Sequence, residues 1–219
     1  MKHLADVAPA VAVAPLERIL ELQAVDPTAS TSVREIGQAI DRHVADSLSA
    51  LPFIGTPTRI ADLGSGAGWP GLALAAALPD AEVWLVETAI RHCRYLERAI
   101  EVSGLTNVSV VNSRIEDWSW TGDLVTARAL AALPVVLEYA APLLVEGGRF
   151  VAWKGAVSPE ENAAGLVAAE ILGLERLAVQ PVTPYKGSRD HTLHVFCKIA
   201  PTPSRFPRRA GMATKRPLA

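Results

Sequence analysis

The residues of this 219-residue chain most able to do chemistry stand in a glycine-rich stretch, ADLGSGAGWPG, at positions 61–71. Four glycines fall within eight residues there, between one short apolar run and another. Glycines between a strand and a helix allow the backbone to turn tightly and to approach a ligand closely. Gly66 to Gly71 match the spacing G-x-G-x-x-G, which occurs in folds that bind dinucleotides. The stretch therefore predicts a nucleotide-type ligand against the loop, with Ser65 and Gly66 among its contacts.

Two carboxylates narrow the choice of ligand. Asp62 stands just before the glycines, where a pyrophosphate would need amide donors and no neighbouring anion. A carboxylate there suits a ligand with a positive end, and S-adenosylmethionine carries an ammonium and a sulfonium group. Glu87 ends the next apolar run and could bind the hydroxyls of a ribose. Because NAD also contains ribose, a NAD-dependent oxidoreductase stays open, as does a turn that serves structure alone.

Cationic residues follow two later strands. Arg128 comes just after the run LVTA, and Lys154 lies in WKG at the end of another run. Open α/β sheets bind ligands at the carboxyl ends of their strands. We therefore expect Arg128 to hold RNA or one end of the cofactor, and Lys154 to contact a phosphate. His43 and Asp46 can share a helix face, either at the rim of the site or as a structural pair.

Cysteine and histidine spacing does not indicate a metal site. Cys93 and Cys197 are far apart and form no CxxC pair. That spacing argues against zinc and against a disulfide framework, and it fits a reducing cytoplasm. His191 and His194 lie on an expected strand and would point to opposite faces at strand period.

Charge is concentrated at the C-terminus. The chain has a net charge of −2 and is half hydrophobic, so any binding of nucleic acid must come from a local basic patch. Residues 201–219 contain no acidic residue, and we expect the cations of this tail to contact phosphates. Those cations are Arg205, Arg208, Arg209, Lys215 and Arg216.

The rest of the sequence predicts the elements that position these residues. Residues 1–53 indicate a helical extension, with a loose N-terminus, helices from about Pro15 to Phe53 and the loop DPTASTS between them. In residues 54–200 strands alternate with helices, which predicts a buried parallel sheet with helices on both faces. The last two strand runs lack an intervening helix, which predicts a hairpin with one antiparallel strand. No run is apolar and long enough to span a bilayer. The seven strand runs are TRIADL, EVWLVE, VSVVN, LVTA, GRFVAWKG, LERLAVQPV and HTLHVFCKI.

Several motifs together resemble one family. DLGSGAGWPGLALA looks like the cofactor loop of class I S-adenosylmethionine-dependent methyltransferases. Trp69-Pro70-Gly71 is similar to the GxPG of the ribosomal RNA small subunit methyltransferase G family, also called glucose-inhibited division protein B. The resemblance covers nearly the whole chain. Further segments that agree with the family in order and spacing are DRHVADSL (41–48), NSRIEDW (112–118), TARALAAL (126–133), WKG (153–155) and FPRRAGMATKRPL (206–218).

This resemblance implies a Rossmann-like class I methyltransferase fold with a mostly parallel seven-stranded sheet and one antiparallel strand. It implies methyl transfer from S-adenosylmethionine to N7 of a guanine in the 530 loop of 16S ribosomal RNA. Guanine N7 carries no proton, so this reaction needs no general base. The alternative is a class I methyltransferase acting on a small molecule, against which the basic tail counts. The family's cofactor contacts carry over to Gly64, Trp69, Ile115, Glu116 and Arg128.

The resemblance also sets expectations about partners. We expect the partner to be 16S ribosomal RNA or the 30S ribosomal subunit. We expect a monomer that needs no membrane and no obligate protein partner.

Overall fold

A seven-stranded sheet in the order β3-β2-β1-β4-β5-β7-β6 forms the centre of the computed structural model, which describes residues 3–219. All neighbouring strands pair in parallel except β7, which runs antiparallel to both β5 and β6. The predicted sheet, with its single antiparallel strand, is confirmed. The strands are β1 (Arg59–Leu63), β2 (Glu82–Glu87), β3 (Val108–Asn112), β4 (Gly122–Arg128), β5 (Leu144–Lys154), β6 (Leu174–Pro181) and β7 (Thr192–Lys198).

Helices cover both faces of the sheet. The α-helices are α1 (Ala10–Val25), α2 (Ile36–Ala39), α3 (Asp46–Leu48), α4 (Gly71–Ala77), α5 (Ile90–Ser103), α6 (Leu133–Ala140), α7 (Pro159–Leu172) and α8 (Met212–Lys215). Short 3₁₀ turns lie at Leu4–Asp6, Leu51–Phe53, Ile115–Asp117 and Ala141–Leu143. Between residues 3 and 219, no helix is long and apolar enough to cross a membrane.

Alternation along the central strands builds two apolar cores, one on each face of the sheet. On β1, Ile60 packs into a cluster that contains Leu16 of α1 and Leu96 of α5. The next residue, Ala61, packs into a second cluster that contains Leu137 of α6. Because successive strand residues point to opposite faces, each of the buried parallel strands contributes to both cores, which explains their continuous apolar runs.

The first helix begins earlier than the sequence predicts. Helix α1 starts at Ala10 and contains Pro15, so the expected start near Pro15 is wrong. Proline removes one backbone donor, whose acceptor would have been the carbonyl of Val11. Val11 is 55% exposed, so water can take the place of that donor.

The second helical segment is continuous but not uniform. It runs from α2 through a π-helical stretch, Ile40–Ala45, into α3. The carboxylate of Glu35 begins the segment by accepting hydrogen bonds from the amides of Gly37 and Gln38, which supplies acceptors for two unpaired donors. π-Helical turns occur frequently at functional sites, and this one carries His43.

The basic C-terminal tail packs against the body of the protein. Phe206 and Ala213 are buried in the core cluster on the α6 side. Arg208 donates from Nε and Nη2 to both carboxylate oxygens of Glu138, at 2.6 to 3.1 Å. Glu138 is fully buried, so this guanidinium neutralises a charge inside the fold and is not free for phosphates.

Candidate active site

The glycine-rich loop joins β1 to α4 at the carboxyl edge of the sheet. The amides of Gly64 and Ser65 donate to the carbonyl of Val86, at 2.9 and 3.1 Å, which ties the loop to β2. Gly64 and Gly66 have φ values of +66° and +54°, a region that side chains disfavour. A Cβ on Gly64 would lie 2.6 Å from Leu130, whereas one on Gly66 would meet nothing closer than 3.8 Å. Packing therefore fixes Gly64, while Gly66 leaves room for a ligand beside the backbone.

Asp62 faces the interior and not the open side of the loop. The residue is only 1% exposed. Its Oδ1 accepts a hydrogen bond from Thr126 Oγ1 at 2.9 Å, and its Oδ2 accepts one from the Gly71 amide at 3.2 Å. Burial raises the pKa of Asp62 to about 6, although these hydrogen bonds oppose the rise. The carboxylate joins β1, β4 and the first residue of α4, and its predicted contact with the positive end of a ligand stays a prediction.

Glu87 stands where β2 ends and α5 begins. Its Oε1 accepts hydrogen bonds from the amides of Thr88 and Ala89, each at 2.8 Å, and its Oε2 accepts one from the Gly66 amide at 3.0 Å. His92 Nδ1 lies 3.7 Å from Oε2. The carboxylate is thus held in one orientation and bound to the glycine loop.

Trp69 forms a buried wall of the loop. Its indole ring stacks on the imidazole of His43, with ring centroids 5.6 Å apart and an interplanar angle of 10°. Its Nε1 donates to Gln23 Oε1 at 2.8 Å. Gln23 is a residue that the sequence analysis missed, because a glutamine on a helix 46 positions away carries no local signal of this contact.

Arg128, at the end of β4, is held by residues of the π-helical segment. Its Nη1 donates to Asp46 Oδ2 at 3.0 Å and to the carbonyl of Arg42 at 3.1 Å, and its Nη2 lies 3.1 Å from His43 Nδ1. A guanidinium can only donate, so Nδ1 of His43 is the acceptor and Nε2 carries the proton, which it donates to Thr31 Oγ1. Burial, together with the charge of Arg128, lowers the pKa of His43 to about 3. His43 is therefore neutral near pH 7.

Asp46 connects this segment to three strands. Besides Arg128 of β4, its carboxylate binds His191 Nδ1, just before β7, at 2.9 Å. Its backbone carbonyl accepts a hydrogen bond from Trp153 Nε1 of β5 at 2.9 Å. Asp46 is 4% exposed. The suggested pairing of His43 and Asp46 on one face is present, but its purpose, to hold Arg128, could not be seen from the sequence.

Lys154 ends β5 on the other side of Arg128. Its Nζ donates to the carbonyl of Ala131 at 3.1 Å and lies 2.6 Å from Glu161 Oε1. The side chain is 17% exposed and reaches a cavity. Its predicted contact with a phosphate stays a prediction, and Glu161 is the partner with which a phosphate would compete.

Three adjoining cavities follow this edge of the sheet. The loop cavity, about 210 Å³, is lined by residues that include Ser65, Gly66, Trp69 and Arg128. The β2 cavity, about 280 Å³, shares Gly64 with it and is lined by Glu87, Ile115 and Glu116. The basic cavity, about 330 Å³, shares Arg128 with the loop cavity and is lined by Lys154, Arg189 and His191. Apart from Asp62, every residue that the sequence nominates for the site lines one of these cavities.

Ile115 and Glu116 form the far wall of the β2 cavity, in the 3₁₀ turn after β3. Ile115 is 8% exposed and offers an apolar surface. The carboxylate of Glu116 accepts a hydrogen bond from the Gly211 amide of the tail at 2.9 Å. The family-derived pair therefore lies opposite Glu87, and its second member also binds the C-terminal tail.

Within residues 3–219, no group of three or more His, Cys, Asp or Glu side chains could hold a metal ion. His194 is buried in β7, while His191 lies at the basic cavity. Cys93 is a buried free thiol.

Comparison with known proteins decides the family. Residues 26–189 match the family model described as rRNA small subunit methyltransferase G. The chain belongs to the ribosomal RNA small subunit methyltransferase G family. A family relative from Chloroflexus aggregans is 42% identical over 195 residues, covering 86% of this chain and 82% of the relative.

Solved structures agree on the fold of this methyltransferase G family member. A SAM-dependent O-methyltransferase from Thermotoga maritima superposes with a TM-score of 0.59 at 17% identity, covering 78% of this chain and 72% of that one. A mutant of MtNAS solved in complex with S-adenosylmethionine gives a TM-score of 0.56 at 17% identity, covering 84% and 74%. At such identities the likeness concerns the fold alone, and it identifies a class I methyltransferase architecture.

Proposed function

We propose that this chain transfers a methyl group from S-adenosylmethionine to N7 of a guanine in the 530 loop of 16S ribosomal RNA. The observation that carries the proposal is the arrangement of cavities in a member of this family. A carboxylate-bearing cavity and a cation-lined cavity meet on either side of the loop cavity, through Gly64 and Arg128. That arrangement can hold a nucleoside cofactor on one side and a nucleotide of an RNA on the other.

The glycine loop favours S-adenosylmethionine over NAD. A pyrophosphate needs free amide donors at such a loop. Here the amides already donate to protein acceptors, namely the Val86 carbonyl, the Glu87 carboxylate, the Ser65 carbonyl and the Asp62 carboxylate. The donors so engaged are the amides of Gly64, Ser65, Gly66, Gly68 and Gly71.

The residues of the β2 cavity fit the nucleoside half of that cofactor. The carboxylate of Glu87 can accept hydrogen bonds from ribose hydroxyls, since Oε2 carries a single amide partner. Ile115 offers an apolar wall to a base, and the open side of Gly66 allows close approach. Asp62 takes an indirect role in this scheme, because it orients the loop and the start of α4 from beneath.

Positioning is the main contribution of the chain to the reaction. S-adenosylmethionine, when bound, supplies an electrophilic methyl group. Guanine N7 is an unprotonated acceptor, so no side chain has to remove a proton. Neutral His43 and the engaged Asp46 fit that requirement, since both are used to hold Arg128. Holding the reacting atoms in line can contribute several powers of ten in rate.

Arg128 and Lys154 are the residues we assign to the nucleotide. They stand on neighbouring strand ends in the basic cavity, where a guanidinium and an ammonium can bind a phosphate or the O6 edge of guanine. In this scheme the described part of residues 1–53 forms a helical extension that orients Arg128, residues 54–200 form the methyltransferase domain, and residues 201–219 form the basic tail.

The proposal is tested by methyl transfer from labelled S-adenosylmethionine to 30S subunits from cells that lack this gene. We expect one labelled guanine in the 530 loop, cleavable by the borohydride and aniline chemistry that detects 7-methylguanine. Arg128→Ala should lower kcat/KM by roughly 100-fold, the effect of a misplaced reacting atom. Arg94→Ala, a change of an exposed arginine on α5, is the matched control. Cofactor binding with no label in any RNA would overturn the substrate and favour a small-molecule methyltransferase.

A further inference from the structure

The C-terminal tail forms part of the wall of the β2 cavity. Gly211 and Thr214 line this cavity together with Glu87 and Glu116. Both residues lie more than ten positions after the last strand, and the motif of the glycine loop does not predict that they reach this cavity. We call residues 206–216 the strap, because this segment crosses from the core of the α6 side to the mouth of the cavity.

Apolar packing and two hydrogen bonds hold the strap in place. Phe206 and Ala213 are 7% and 1% exposed and anchor it in the apolar core. The Gly211 amide donates to Glu116 Oε1 at 2.9 Å, and Thr214 Oγ1 lies 3.3 Å from the hydroxyl of Tyr139. The latter two contacts lie at the cavity itself. The strap is therefore fixed at its base by packing and at the cavity by two hydrogen bonds.

The outer side of the strap and the residue before it are strongly basic. Four exposed cations lie there, and within residues 3–219 none of them forms an ion pair. Arg208 is the exception in this region, since it is bound to Glu138. The exposed cations are Arg205, Arg209, Lys215 and Arg216. Such a cluster suits a phosphate backbone, for which neutralised charges set the affinity and its salt dependence.

We propose that the strap binds two ligands at once and couples them. Its inner side, Gly211 and Thr214, closes on the nucleoside half of the cofactor, and its outer cations bind phosphates of the RNA. Each ligand then stabilises the strap in the position seen here, so each raises the affinity of the protein for the other by the same factor. This inference rests on the proposed function, because it takes the β2 cavity as the cofactor site.

The inner side is tested first, without RNA, by calorimetric titration of the full chain with S-adenosylmethionine. Gly211→Ala is the sharpest variant: the residue has a φ of +75°, and an added Cβ meets no atom within 4 Å. The change strains the strap without a clash with any other residue. We expect the Kd for the cofactor to rise roughly tenfold, as left-handed backbone disfavours a side chain. Glu116→Ala, which removes the acceptor for the Gly211 amide, should act in the same direction.

The outer side is tested by reversing charge. The triple variant Arg209→Glu, Lys215→Glu, Arg216→Glu should keep the cofactor Kd of the wild type within about twofold. Its affinity for unmethylated 30S subunits should fall at least about tenfold, with a shallower dependence on salt. Arg94→Glu on α5 is the control for a charge reversal elsewhere on the surface and should change neither affinity.

Coupling is measured by repeating the cofactor titration with 30S subunits present. We expect the subunits to tighten cofactor binding in the wild type and to do so far less in Gly211→Ala. Unchanged cofactor affinity in both Gly211→Ala and Glu116→Ala would overturn the inference, as would equal tightening in the wild type and Gly211→Ala. If the wild type binds no S-adenosylmethionine at all, the proposed function fails instead. Hydrogen exchange of residues 206–216 gives a readout independent of activity, and the cofactor alone should slow it.

Discussion

Replacing Asp46 by alanine should loosen Arg128 without touching any residue of the glycine loop. The carboxylate of Asp46 accepts one hydrogen bond from Arg128 at 3.0 Å and one from His191 at 2.9 Å. After the substitution Arg128 keeps only the carbonyl of Arg42 and the ring of His43 as acceptors. A partly buried guanidinium then lacks its only anionic partner in the described residues.

The magnitude follows from these two bonds. A hydrogen bond to a charged group contributes about 1.5–3 kcal/mol. The side chain of Arg128 is 17% exposed and that of His191 is 30% exposed, so water compensates more of the second bond than of the first. Counting the first bond in full and the second at about half gives a loss of roughly 2–4 kcal/mol in the free energy of unfolding. Asp46→Asn keeps one neutral acceptor for Arg128 and should lose about half as much.

Thermal unfolding and methyl transfer measure the two consequences. For a chain of this size each kcal/mol lowers Tm by about 2–4 °C, so Asp46→Ala should lower Tm by roughly 4–16 °C. Its kcat/KM should also fall, because Arg128 is no longer held in place. This fall should be seen even under conditions where the variant is fully folded. Gln38→Ala is the control on the same segment, because Gln38 is an exposed residue of α2. An Asp46→Ala protein with the Tm and kcat/KM of the wild type would refute the reasoning.

Three further changes test other parts of the site. Gly64→Ala should lower Tm and cofactor affinity, because its φ of +66° disfavours a side chain and the added Cβ would displace Leu130, whereas Gly155→Ala has free space and should leave Tm unchanged; equal effects in a melting experiment would contradict this. Arg208→Ala leaves a fully buried carboxylate on α6 without its cationic partner and with only the backbone amide of residue 208 as a donor, which should cost about 3–5 kcal/mol in urea denaturation, while exposed Arg209→Ala should cost under about 0.5 kcal/mol. The pKa of Asp62 rises from 3.8 to about 6 on folding, so its contribution to stability is present below pH 4 and is lost as pH rises through 6. Asp62→Asn should remove that part of the pH dependence of unfolding. If the variant and the wild type show the same dependence of stability on pH, the pKa of Asp62 is not raised on folding.

The fold could be predicted from the sequence because its signals are local. Buried parallel strands are continuous apolar runs, and helical patterns separate most of them from the next strand. The hairpin of β6 and β7 is predicted instead from the lack of a helical pattern between its two runs. The start of α1 was harder, since Pro15 is a strong local signal for a boundary, and only the surrounding packing decides that the helix continues through it.

The residues of the site also divide into those that the sequence predicts and those that it does not. The sequence predicts Gly64, Gly66 and Glu87 as site residues, because a strand end followed by glycines has a known geometry. The sequence does not predict that Asp62 points inward. That direction depends on the face of β1 that the residue occupies and on Thr126, 64 positions later. The role of Arg208 depended on Glu138, 70 positions earlier. Such pairings are set by tertiary structure, and one sequence holds no record of them.

Helix segment 36–48 supplies the partners of Arg128 from 82 to 86 positions earlier in the chain. The strap adds a cavity wall from the last residues. The nominated residues 62–154 therefore depend on both ends of the chain, since residues 36–48 hold Arg128 and residues 206–216 close the β2 cavity. During synthesis from the N-terminus the partners of Arg128 are made first and the strap is made last. We expect a chain that ends before residue 206 to hold Arg128 but to lack one wall of the β2 cavity.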